Sequence, residues 1–170
     1  QPIPLPVSSE EEIVQQFWRG VTSRTKVIYL SHITSPTALR MPVEQICKRA
    51  KEAGILTVID AAHSPGQIPV DLQALDADIV FGNCHKWMLN AKGSAFLYVK
   101  QKLQPLIDPL IVSWGYHPTP ETTTGSRFID ILQWTGTKDP TAALTVPTAI
   151  QFLRDNHWDD VRKECHDLLR

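Results

Sequence analysis

Apolar residues fall along the chain in two rhythms. Residues 26–30 (K-V-I-Y-L), 55–59 (I-L-T-V-I), 78–82 (D-I-V-F-G) and 94–99 (S-A-F-L-Y-V) are short, nearly continuous apolar runs, the pattern of strands buried in a sheet. Elsewhere the spacing is helical. Ile13, Val14, Phe17 and Trp18 make a stripe that runs to Gly20, entered through Ser8 or Ser9 as N-cap with Glu10, Glu11 and Glu12 in the first turn. Val43, Ile46, Cys47, Ala50 and Ala53 make a second stripe, begun by Pro42 and stopped at Gly54. A last helix is predicted from Asp139-Pro140 through Leu144, Ile150, Phe152 and Leu153, with a shorter helical stretch over 158–169. Strands alternating with helices predict an α/β domain whose sheet is covered by helices on both faces.

Two stretches break these rhythms. Residues 1–7 carry Pro2, Pro4 and Pro6, each holding its predecessor extended, and predict a non-helical lead-in. Residues 105–126 are rich in Pro, Thr and Gly without a sustained period and predict a long loop of the kind kept for a site or an interface. Its Trp114, Tyr116 and His117 are candidates to line such a surface, with plain packing as the alternative.

Composition narrows the function classes. The 170 residues carry a formal net charge of −1, which excludes a basic nucleic-acid binder, and 42% hydrophobic against 21% charged residues can bury a core. Cys47, Cys84 and Cys165 are odd in number and widely spaced, so they indicate neither a disulfide framework nor a metal site, and predict a reducing, cytoplasmic setting. No apolar run approaches the roughly 18 residues of a membrane span. A chain that opens on Gln1 and carries a helical pattern to Arg170 reads as an internal piece of a longer one.

In open α/β sheets ligands bind outside the carboxyl ends of the strands. Ser31-His32-Ile33-Thr34-Ser35, Asp60-Ala61-Ala62-His63 and Asn83-Cys84-His85-Lys86-Trp87 each follow a predicted strand, so neighbouring strands would bring them together. Taken singly, each has an ordinary explanation: Asp60 as a turn cap, the histidines as hydrogen-bonded structural groups, Lys86 as a surface lysine lying along Trp87, and Cys84 as a buried, inert thiol.

Together, Asp60-Ala61-Ala62-His63 and the downstream His85-Lys86-Trp87 resemble the class V aminotransferases, a family of fold-type I pyridoxal-phosphate enzymes. The blocks from Tyr29 to Thr37, Gly93 to Tyr98 and Trp134 to Asp139 match it as well, and the combination looks most like its isopenicillin N epimerase-like branch. The resemblance implies a three-layer α/β/α large domain with a mostly parallel sheet. Residues 1–156 would be its central and C-terminal part, and residues 157–170 the start of a small C-terminal domain.

It also implies roles. Asp60 would pair with the pyridine nitrogen of pyridoxal 5'-phosphate, and Lys86 would bind the cofactor covalently. Ser35 and His63 would lie near the ring hydroxyl, Asn83 and His85 at the phosphate, and Gly136 and Thr137 at the cofactor of a partner subunit, implying a homodimer with shared sites. No metal is implied. The substrate class is an amino acid or a peptide amino group, altered at the α-carbon, with epimerisation as the first expectation. A cysteine desulfurase or C–S lyase, or a non-catalytic dimerisation domain, are the alternatives. His63 and Asn83 stand where desulfurases usually carry Gln and Ser. The family's upstream phosphate-binding segment and stacking aromatic are not among these residues, so the fragment by itself is expected to be inactive.

Overall fold

The computed structural model describes residues 3 and 6–168, which form two compact units: residues up to Tyr98 together with those from Ala142 onward, and Val99–Thr141. In the first, β1 (Val27–Ser31), β2 (Leu56–Asp60), β3 (Ile79–Asn83) and β4 (Ala95–Val99) lie in that order across one sheet. β1, β2 and β3 pair in parallel, with Ser31 opposite Asp60 and Asp60 opposite Phe81. The Cys84 N–H donates to the Ser94 carbonyl (3.0 Å), so the end of β3 meets the start of β4 and the last strand runs antiparallel. The α/β sheet is thus as the apolar runs predict, and its mostly parallel pairing is as the resemblance implies.

Strands β1–β3 each lie one residue further on than the hydrophobic runs suggest. The ladder continues into the polar ends, where the His32 N–H donates to the Asp60 carbonyl (2.9 Å) and the Ala61 N–H to the Phe81 carbonyl (2.8 Å). Asp60 and Asn83 therefore close strands rather than open loops.

Three helices of this unit come from the N-terminal half of the chain: α1 (Glu10–Trp18), α2 (Val43–Glu52) and α3 (Leu72–Leu75). Ser9 is the N-cap of α1, accepting from the Glu12 N–H (3.1 Å), while the Ser8 N–H donates to the Glu12 carboxylate (2.7 Å). The Ser8 bond, first of all, holds the Glu12 carboxyl below its ordinary value. α1 ends two residues before Gly20. α3, a single turn capped by Asp71, is too short to produce a sequence period and was not expected. The fully buried side chains of Val43 and Ile46 on α2 and of Ile59 and Val80 on the strands belong to the one core cluster.

Burial alternates strictly along β1–β3. Ile28, Leu30, Thr57, Ile59 and Val80 are covered, whereas the opposite face leaves Val27 49%, Tyr29 60% and Leu56 39% exposed, with Leu97 of β4 at 44%. Two-sided burial was expected from the continuous apolar runs; among the described residues one side is fully covered and the other only in part, with Val58, Ile79 and Phe81 half-buried.

The predicted last helix is two, and the shorter stretch predicted beyond it is a helix of its own. α5 (Thr141–Leu144) is separated from α6 (Val146–Asp155) because Pro147 lacks an amide hydrogen and fits only the first turn of a new helix, and α7 (Trp158–Asp167) follows. In the second unit a 3₁₀ turn at Gln101–Leu106 runs into the start of the predicted loop and another, Trp114–Tyr116, lies within it, and α4 (Arg127–Gln133) follows unannounced. Asp130 there accepts from the Thr124 N–H (2.9 Å) and from the hydroxyls of Thr124 and Thr123 (2.7 Å each), which holds its carboxyl below the ordinary value. Residues 1, 2, 4 and 5 of the lead-in and 169–170 of the last helical stretch lie outside the described residues.

Candidate active site

The parallel register sets Asp60 and Asn83 at the carboxyl ends of adjacent strands, and the chain leaves both ends in tight turns. After β2, the Asp60 carboxylate folds back to accept from the Ala62 N–H (2.9 Å), which turns the chain and brings His63 round. Its other oxygen accepts from the Tyr29 hydroxyl (3.3 Å). Tyr29 and Asp60 lie on the same open face, where Tyr29 also stacks on Phe81 with ring centroids 6.2 Å apart. Partial desolvation, then the neighbouring Asp60 charge, raises the Tyr29 hydroxyl above its ordinary value and keeps it a donor.

After β3, the loop carrying Lys86 is tied on both sides. The Leu89 N–H returns to the Lys86 carbonyl (3.1 Å) and the Asn90 N–H to the Cys84 carbonyl (3.1 Å). The Asn90 side chain donates to the Ser94 hydroxyl and to the Ala142 carbonyl, each at 2.7 Å, and the His85 Nδ1 lies 3.0 Å from the Ser94 carbonyl. Asn90 and Ser94 were not singled out from the sequence. Their role is to brace the lysine loop, and only its folded shape reveals it.

Two glycines let the turns meet. Gly66, at φ +87°, would place a Cβ 2.1 Å from the Trp87 carbonyl oxygen, and Gly82 would place one 2.6 Å from the Phe96 ring and 2.9 Å from the Ala61 carbonyl. With both turns closed, the Lys86 Nζ lies 3.0 Å from His63 Nε2, and the Trp87 indole N–H donates to His63 Nδ1 at 3.2 Å. The structure therefore joins Lys86 and His63 directly. Trp87, read from sequence only as a surface beneath the lysine, instead contacts the histidine.

The other expected residues fall as follows. Asn83 ends β3 half-buried, His85 precedes Lys86, and Ser35 is exposed in the turn after β1. That turn is shaped by Thr34, whose hydroxyl accepts from the Leu39 N–H (2.9 Å) and pairs with that of Thr37 (2.6 Å). Gly136 and Thr137 belong to the second unit, just after α4. Cys84 is buried, and burial raises its thiol pKa, as expected of an inert cysteine. His32 is 2% exposed with neither ring nitrogen partnered among the described residues, and burial lowers its pKa. No helix among the described residues is long and apolar enough to cross a membrane.

The donor set suits an aldehyde-bearing anionic cofactor: an amine at Lys86, a carboxylate at Asp60, and imidazole and amide groups at His63, His85 and Asn83, all at one edge of one sheet.

Known proteins resemble this chain in sequence and in fold. The family model for aminotransferase class-V matches residues 4–170. The chain is 34% identical over 170 residues to isopenicillin N epimerase of Amycolatopsis lactamdurans, covering 96% of this chain and 43% of that protein. It is 30% identical over 176 residues to putative L-cysteine desulfhydrase 2 of Oryza sativa subsp. japonica, covering 98% and 36%. The apo structure of cysteine desulfurase from Thermococcus onnurineus NA1 superposes with a TM-score of 0.76 at 19% identity, over 94% of this chain and 39% of that one. The chain thus spans less than half the length of each of these proteins.

Proposed function

The chain belongs to the aminotransferase class-V family, and from that premise we propose that it binds pyridoxal 5'-phosphate through Lys86 and acts at the α-carbon of an amino acid or of a peptide amino group. The observation that carries the reading is the Lys86 Nζ held 3.0 Å from His63 at the edge of the sheet where Asp60 ends the neighbouring strand.

When bound, the cofactor supplies a protonated ring that stabilises negative charge at the substrate α-carbon. The chain's own residues do the rest. Asp60, fixed in place by the Ala62 N–H, would keep the ring nitrogen protonated by its charge. Lys86 would hold the cofactor and would be the acid–base group at the substrate α-carbon. Ser35 and His63 serve the ring hydroxyl, and Asn83 and His85 the phosphate. Gly136 and Thr137 serve the partner subunit's cofactor in a homodimer, and residues 157–170 begin the small domain.

Removing the α-proton and returning one on the opposite face is epimerisation, the reaction named in one group of relatives. A second reading, C–S lysis of cysteine, draws on relatives named L-cysteine desulfhydrase at nearly equal identity. The two are separated by supplying the cofactor-loaded protein in heavy water with L-cysteine and, separately, with a peptide bearing a free α-amino group. Inversion and deuterium uptake at the peptide α-carbon without sulfide supports epimerisation. Sulfide release supports the lyase. Neither product, from protein that carries every segment of its relatives, would refute both.

A further inference from the structure

Gly66 belongs to the turn that begins at His63, and its backbone is held twice. Its Cα lies against the lysine loop, where a Cβ would stand 2.1 Å from the Trp87 carbonyl oxygen and 2.7 Å from the Met88 nitrogen. Its carbonyl accepts from the Trp158 indole N–H at 2.8 Å, a bond between residues 92 positions apart. An indole N–H can only donate and a carbonyl can only accept, so the direction of this bond is fixed. Trp158 opens α7, and His157 before it redirects the chain out of α6 in the left-handed conformation (φ +48°), which few non-glycine residues hold. The turn itself is drawn tight by the Gln67 and Ile68 N–H groups, which both donate to the Ser64 carbonyl (3.0 and 2.9 Å). A cavity of about 670 Å³, bounded in part by Ile68, Met88, Leu153 and Arg154, opens beside the bond, so close packing does not secure the turn against α6 there.

We infer that Trp158 is a positioning residue: through the Gly66 carbonyl it keeps the turn seated on the lysine loop, so that His63 stays 3.0 Å from the Lys86 Nζ. The Asn90 amide makes a matching tie from the lysine loop to the Ala142 carbonyl (2.7 Å). Both turns of the site are thus anchored to the C-terminal helices of the same compact unit. What the anchoring serves rests on the proposed role of Lys86; the bond itself does not. Trp158 is half-buried and outside the core cluster, so Trp158→Phe removes the donor and keeps an aromatic ring in place.

The test compares Trp158→Phe with Trp18→Phe, a change of equal size on α1, where Trp18 packs against the core cluster. Amide exchange of the full chain without cofactor, read residue by residue by NMR, reports the turn at Gln67 and Ile68 and the sheet along β2. Borohydride trapping with pyridoxal phosphate reports the share of label on Lys86 against the other lysines in the same digest. In Trp158→Phe the Gln67 and Ile68 amides are expected to exchange roughly fivefold faster, the scale of one lost hydrogen bond. Exchange along β2 is expected to stay as in the parent, and the Lys86 share of the label to fall severalfold. Trp18→Phe is expected to leave the turn and the Lys86 share unchanged. Unaltered exchange at Gln67 and Ile68 in Trp158→Phe would overturn the inference. So would acceleration along β2 by the same factor, a loosened turn with the Lys86 share intact, or an equal loss of Lys86 label in Trp18→Phe. A parent with no preference for Lys86 refutes the proposed function, and the exchange readings then still decide whether Trp158 holds the turn.

Discussion

Asp60 and Lys86 could be picked out from the sequence because their residue types and their places after apolar runs carry the signal. The contacts that make them a site could not. Tyr29 reaches Asp60 because parallel pairing puts residues two apart on one face, and Trp87 reaches His63 because two turns close on each other. Such partners depend on register and loop closure, which single positions do not encode. His32 shows the same limit: it reads as one histidine among several, yet it is buried with its charged form disfavoured, Glu44 only partly offsetting the burial. A histidine with its pKa lowered in the folded state binds fewer protons there than when unfolded, so stability is complete above its ordinary value of 6.5 and falls as pH drops below it. Thermal melts from pH 7.5 down to about 5 are expected to show that decline, and His32→Leu is expected to flatten it. An unchanged slope in the variant would contradict the assignment.

Helix and strand types were legible wherever a run was long enough to show its period, and missed where it was not. The one-turn α3 and the seven-residue α4 lie among polar residues, and Pro147 divides a stretch whose apolar spacing looks continuous. The strand ends were misplaced by one residue because hydrophobicity stops at Ile59 while the hydrogen-bond ladder continues to Asp60. Caps and close approaches carry measurable weight at this scale. Ser9→Ala removes the hydroxyl that caps α1 and is expected to cost about 1 kcal/mol in a denaturant melt. Gly66→Ala forces a Cβ onto the Trp87 backbone at a left-handed φ and is expected to cost about 3 kcal/mol and to loosen the lysine loop. A Gly66→Ala protein as stable as its parent would show that the two turns are not in such contact.

At the scale of the whole molecule, the sheet is finished on one face and open on the other, and the open face carries Tyr29, Phe81 and Asp60. A site that keeps an amine uncharged and a carbanion alive needs water excluded, which an open face does not provide. The chain spans less than half of its relatives, so the covering layer is expected to come from segments outside these residues. The 170 residues alone are accordingly expected to turn over neither a peptide amine nor L-cysteine; measurable racemisation or sulfide release from them would contradict this.

The central claim, that Lys86 is the cofactor lysine, is tested most directly by reductive trapping. The chain is mixed with pyridoxal phosphate, reduced with borohydride, digested, and the labelled peptide identified by mass. Label concentrated on the peptide bearing Lys86, and lost in Lys86→Ala, is the expected result. Label spread evenly over exposed lysines such as Lys48 and Lys51, or undiminished in Lys86→Ala, would contradict it.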